Sequence, residues 1–107
     1  MDIEQLRNYC IDLPDVEECF PFGIDTLVFK VNKKIFLLAS LDQQPLQFNV
    51  KCDPQKAIEL REIYPTVLPG FHMNKKHWNT IVVDGSIPQN QLRQMIDESY
   101  QLVNKKK

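Results

Sequence analysis

Apolar residues near the start of the chain recur at steps of three and four. Ile3, Leu6, Tyr9, Cys10 and Leu13 share one side of a helical wheel, which predicts an amphipathic helix over residues 2–13. Asp2 favours its start, and Pro14 ends it by disfavouring helical geometry at Leu13. From Thr26 the period drops to two: Leu27, Phe29 and Val31 alternate with Thr26, Val28 and Lys30, the pattern of a strand. Asn32-Lys33 supplies a tight turn, because asparagine tolerates the left-handed backbone that two-residue hairpin loops require. Residues 34–41 predict the returning strand. After the turn Asp42-Gln43-Gln44-Pro45, the alternation of Leu46, Phe48 and Val50 predicts a third strand, and the short loops imply an antiparallel meander.

Asp53-Pro54 combines a capping side chain with a proline at the first helical position and opens a helix running to Tyr64, with Ala57, Leu60 and Tyr64 inward. Residues 64–77 hold Pro65, Pro69 and Gly70, then two histidines and two lysines, and predict a shaped loop. His77 to Val83 alternates as a strand leaving it. Ser86 as a capping residue, Pro88 in the first turn and Gln89 at the capping-box position begin a last helix, with Leu92, Met95, Ile96, Ser99 and Val103 inward. Ser99 is expected to bond back to a carbonyl of its own helix. Phe20 and Phe22, two apart in an extended turn-rich passage, are expected to plug the core. The predicted class is α+β: an antiparallel meander sheet with helices packed on one face, with Leu6, Leu27, Phe29, Phe36, Leu60, Ile81, Leu92 and Ile96 inside.

Composition narrows this to one domain over residues 1–107, since 43% hydrophobic and 25% charged residues exclude a disordered, collagen-like or disulfide-scaffold chain. The longest apolar run, Ile35 to Ala39, is strand-sized and far short of the ~18 residues of a membrane span. Three cysteines form no CxxC pair, and MDIEQLRNYC has acids where a signal peptide carries basic and then apolar residues. The expectation is a soluble cytoplasmic protein without disulfides or a membrane partner, with Cys10 serving as a small apolar residue.

Net charge is -1, but it is unevenly spread: residues 1–25 carry -6 and the remainder +5. Such asymmetry allows a basic face on a nearly neutral protein. His72 and His77 offer two ligands where zinc needs about four, and Asp12, Asp15, Glu17 and Glu18 lack calcium-loop spacing, so no metal site is expected. Three isolated glycines allow no phosphate-cradling loop, and no serine or cysteine stands on a nucleophile elbow, so neither catalytic residues nor cofactors are expected. The constellation that remains is Lys75-Lys76-His77-Trp78-Asn79, joined by the hairpin lysines Lys33 and Lys34. Cations attract phosphates regardless of sequence, and an asparagine amide can contact bases or sugars. Trp78 is expected as a core anchor of the loop. Arg61 and His72 are the candidates for gripping a small anion.

The stretches FPFG at 20–23, FKV at 29–31 and PGFHMNKKHWN at 69–79, together with Arg61 and Ser99-Tyr100, resemble the MmcQ/YjbR family across nearly the whole chain. The resemblance implies a fold like that of the bacterial frataxin homologue CyaY and DNA binding through a double-wing arrangement of hairpins. Lys75, Lys76, His77, Trp78 and Asn79 match its motif, and Lys33 and Lys34 match as a hairpin tip. DNA is therefore the expected partner. Two alternatives stand beside it: a small-anion or protein-interaction module built on Arg61 and the histidines, and a frataxin-like metal carrier using Asp2, Glu4 and Asp12.

Overall fold

The computed structural model of the protein describes residues 1–70 and 73–104. Asp2 accepts the N–H of Gln5 at 2.8 Å while the Gln5 side chain accepts the N–H of Asp2 at 3.0 Å, a reciprocal cap that starts α1 (Ile3–Ile11). The chain continues through β1 (Val16–Cys19), β2 (Thr26–Val31), β3 (Lys34–Ser40), β4 (Gln47–Lys51), α2 (Pro54–Ile63), β5 (Val67–Pro69), β6 (Trp78–Val82) and α3 (Gln89–Val103). All six strands form one antiparallel sheet in the order β1-β2-β3-β4-β6-β5. The α+β class and the meander are as expected, and β1 and β5 extend the sheet at its two edges.

Register sorts the strand side chains into two faces. Leu27, Ala39, Phe48, Ile81 and Val67 lie side by side in one row, and Phe29, Leu37, Val50 and Asn79 in the next. The apolar members of both rows join one core with Leu6 and Cys10 of α1, Ala57 and Leu60 of α2, and Leu92, Met95 and Ile96 of α3. All eight residues expected inside are buried. The alternate row, Val28, Leu38, Asn49, Thr80 and Leu68, faces away from the helices.

The β2–β3 turn has positive φ at both central residues, 52° at Asn32 and 65° at Lys33, the mirror-image turn whose twist matches a hairpin. One strand higher in the chain order, β3 carries a bulge: Phe29 pairs with Leu37 and Lys30 with Ile35, leaving Phe36 unpaired on β2. Phe36 and Leu37 are both fully buried as a result.

Three expectations are corrected. Phe20 and Phe22 do not plug the core; they are 48% and 63% exposed. The α3 N-cap is Pro88 without a side-chain cap, while Ser86 lies two residues early, its N–H bound to Asp84 Oδ1 at 2.9 Å. Ser99 bonds to the sheet rather than to its own helix, donating to the Phe36 carbonyl. Among the described residues no helix is long and apolar enough to cross a membrane.

Candidate nucleic-acid interface

Antiparallel order fixes which connections share an end of the sheet. Val31, Lys34, Lys51 and Trp78 stand at one end, and Thr26, Ser40, Gln47 and Val82 at the other. The first end therefore collects the hairpin lysines Lys33 and Lys34, Lys51 at the end of β4, and Lys75 and Lys76 just before β6. Lys33, Lys34, Lys75 and Lys76 are exposed. The hairpin and β6 are two to three strand spacings apart, on the order of 10–14 Å. The connections at the opposite end carry Asp25, Asp42 and Asp84, beside Asp2 at the start of α1, and no lysine or arginine. At the basic end the acids include Asp12 and Asp15, beside the β1 edge, Glu98 of α3, beside Lys51 and Cys52, and Asp53, whose carboxylate accepts the N–H groups of Gln55 and Lys56 as the α2 cap.

The loop before β6 is held by its own backbone. Asn74 accepts the N–H of Lys76 on its side chain at 2.9 Å, and its carbonyl accepts the N–H groups of His77 and Trp78 at 3.2 and 3.0 Å. The His77 carbonyl accepts the Cys52 N–H at 2.7 Å, which ties the loop to the start of α2. Gly70 donates its N–H to the Trp78 carbonyl at 2.9 Å. An added Cβ there would meet Trp78 Cβ at 2.8 Å, so this close approach requires glycine. Lys75 donates from Nζ to the Gly70 carbonyl at 3.2 Å, so its ammonium is held against the loop rather than extended freely.

Not every expected site residue reaches this surface. Asn79 has the parity of Ile81, is 1% exposed, and donates from Nδ2 to the Ala57 carbonyl at 3.3 Å. Its amide is spent inside, and Oδ1 is buried without a partner among the described residues. Trp78 has the opposite parity: it pairs with Lys51 on the helix-free face, is half-buried, and lies outside the core. The expected core anchor is thus a wall of the outer face, fixed through its backbone. Alternation alone carried this signal, since placing Ile81 inside puts Asn79 inside and Trp78 outside.

Arg61 turns back along α2, donating from Nε to the Ala57 carbonyl and from Nη2 to the Lys75 carbonyl, each at 3.2 Å. Its guanidinium thus braces the basic loop, a role that spacing did not reveal. His72 lies outside the described residues. Among the described residues no group of three or more His, Cys, Asp or Glu side chains is placed to hold a metal ion.

A six-stranded antiparallel sheet, backed on one face by three helices, with the other face free of helices and lysines gathered at one end, defines an α+β domain. The YjbR family model matches residues 11–102, and the chain belongs to that family. It is 42% identical over 100 residues to YbdF of Escherichia coli O157:H7, covering 94% of this chain and 82% of that protein. It is 32% identical over 101 residues to YjbR of Escherichia coli strain K12, covering 94% and 86%. The crystal structure of Deinococcus radiodurans protein DR2400, a DUF419 domain, superposes with a TM-score of 0.92 at 41% identity over 97% of this chain and 79% of that one. A crystal structure of a Pseudomonas syringae protein gives 0.84 at 26% identity over 96% and 99%.

Proposed function

We propose that this protein binds DNA weakly and without catalysis, through the basic end of its sheet. The observation that supports the reading is the sorting of lysines by strand direction: Lys33, Lys34, Lys75 and Lys76 fall in the connections at one end, and the connections at the other carry Asp25, Asp42 and Asp84 with no lysine or arginine. Lys33 and Lys34 on the hairpin and Lys75 and Lys76 on the braced loop would contact phosphates on two fronts. Their separation is comparable to the ~12 Å width of a major groove, which lets the two groups reach opposite backbones. His77 and Lys51 lie between them. Such contacts position the protein on the backbone but read no sequence.

Fluorescence anisotropy on a short labelled duplex across a salt series tests this. Four neutralised phosphates give a slope of log affinity against log salt of about -3.6. Replacing Lys75 and Lys76 by alanine should reduce the slope by about 2 and lower stability by no more than the one hydrogen bond from Lys75 to Gly70, about 0.5–1.5 kcal/mol. No binding at low salt, or a slope indifferent to both lysines, rejects the assignment.

A further inference from the structure

Three of the six residues that join β1 to β2 are large, apolar and outward: Phe20 at 48%, Phe22 at 63% and Ile24 at 83% exposure. Leu41, 39% exposed, adjoins them because its N–H donates to the Asp25 carbonyl at 2.8 Å. The segment has a defined shape. Gly23 donates to the Phe20 carbonyl at 3.4 Å, Thr26 donates to the Gly23 carbonyl at 3.3 Å, and Gly23 takes a φ of 111° that favours glycine. Phe20 and Leu41 also wall a groove of about 260 Å³ against α1. Exposed apolar side chains gathered in this way mark an interaction surface rather than a scatter of single residues.

The charges around the cluster decide what fits it. Asp25 and Asp42 flank it, residues 20–25 and 41–46 contain no lysine or arginine, and the Arg7 guanidinium at the groove rim is already paired with Glu18. A two-fold dimer through this patch sets the same aspartates against each other, and an anionic membrane is repelled. We propose that the cluster of Phe20, Phe22, Ile24 and Leu41, flanked by Asp25 and Asp42, is a docking surface for a cationic amphipathic segment of another protein. The apolar residues of that segment would cover the cluster, and its lysines or arginines would face the aspartates. The surface lies at the end of the sheet opposite the lysines, so it is independent of the DNA-binding reading.

The test uses the whole protein and a labelled helical peptide of leucine and lysine in amphipathic repeat, with two controls in which glutamate replaces the lysines or serine replaces the leucines. Backbone amide shift changes on titration should map to residues 18–27 and 40–43. Phe22→Ser with Ile24→Ser, at positions too exposed to support the fold, should weaken binding at least tenfold. Asp25→Lys with Asp42→Lys should do the same by a different route, and neither control peptide should bind. Undiminished binding by both double variants, equal binding of the glutamate peptide, or shifts elsewhere would overturn the proposal. So would sedimentation showing a dimer that the Phe22/Ile24 variant abolishes, or co-sedimentation with zwitterionic vesicles lost in that variant.

Discussion

Ser99 stands between two strands at the point where they part. Its hydroxyl donates to the Phe36 carbonyl at 2.5 Å and accepts the Lys51 N–H at 2.8 Å. The β3–β4 ladder ends at Leu37 and Val50, so Phe36 and Lys51 would form the next pair. The bulge that leaves Phe36 unpaired on β2 opens this gap, and a hydroxyl from α3 closes it. Ser99→Ala therefore leaves a buried carbonyl and a backbone N–H without that partner. The expected loss is about 1–3 kcal/mol, the usual cost of unsatisfied buried polar groups, read as a shift of the denaturant midpoint.

Gly70 and Trp78 make the second prediction. A methyl group at position 70 collides with the Cβ and carbonyl of Trp78 at 2.8 and 2.9 Å, and neither can swing aside as the end of a flexible side chain could. Gly70→Ala should destabilise by about 1–3 kcal/mol through overpacking. Trp78→Ala should cost less than the ~3–5 kcal/mol of emptying a fully buried aromatic site, because the ring is half-buried on the outer face. Thermal denaturation of both variants checks the pair.

The cysteines separate by burial. Desolvation pushes the Cys10 thiol up to about 12 and the Cys52 thiol up to about 11, and both side chains are buried. The thiolate is the reactive form, so at pH 8 an aromatic disulfide reagent should modify half-buried Cys19 first. Cys10 and Cys52 should react only on unfolding. Three fast-reacting thiols in the native protein would contradict the packing of α1 and β4.

Alkaline stability follows from the same physics with a definite sign. Burial, then its hydrogen bond to Asp97 at 2.7 Å, pushes the Tyr9 hydroxyl up to about 12 from an ordinary 10.0. The folded state therefore prefers the protonated phenol. Its contribution is complete below pH 10 and is lost as pH rises toward 12. The two buried thiols add a loss of the same sign, beginning near pH 9. Denaturation midpoints should fall between pH 9 and 12, and Tyr9→Phe should flatten the part above pH 10 while lowering stability at pH 7 by about 0.5–1.5 kcal/mol.

Periodicity located α1, α2, α3 and four of the strands because each has enough apolar positions to declare a repeat. It could not find β1, whose Val-Glu-Glu-Cys has one pleat of alternation and two acids, or β5, three residues ending in proline. Both are edge strands, and pairing with a neighbour makes them strands. Phe20 and Phe22 show a related limit: a two-residue spacing puts side chains on one side of a chain without saying whether anything covers that side. The lysines of the candidate interface were visible as residues, but their common end was not. That emerged only from strand order, which brings the 32–33 turn and the 73–77 loop to one end with β4 alone between the hairpin and β6. The bracing of that loop by Arg61 depends likewise on contacts across 14 residues of chain.

With the lysines of its connections gathered at one end of the strands, and Asp25, Asp42 and Asp84 at the other without a basic residue among them, a nearly neutral protein acquires an electric moment along its strand axis, reduced but not reversed by Asp12, Asp15 and Asp53 at the lysine end. Near a charged rod or sheet such a molecule feels a torque before it feels contact, and it turns its positive end toward negative surroundings from about a Debye length away, roughly 8 Å at physiological salt. The opposite end, with its exposed phenylalanines and isoleucine, is then turned outward. Measured as electric birefringence or as a dielectric increment, this moment should shrink on reversing charge at either end, and it should do so with no change in net hydrophobic surface, oligomeric state or fold.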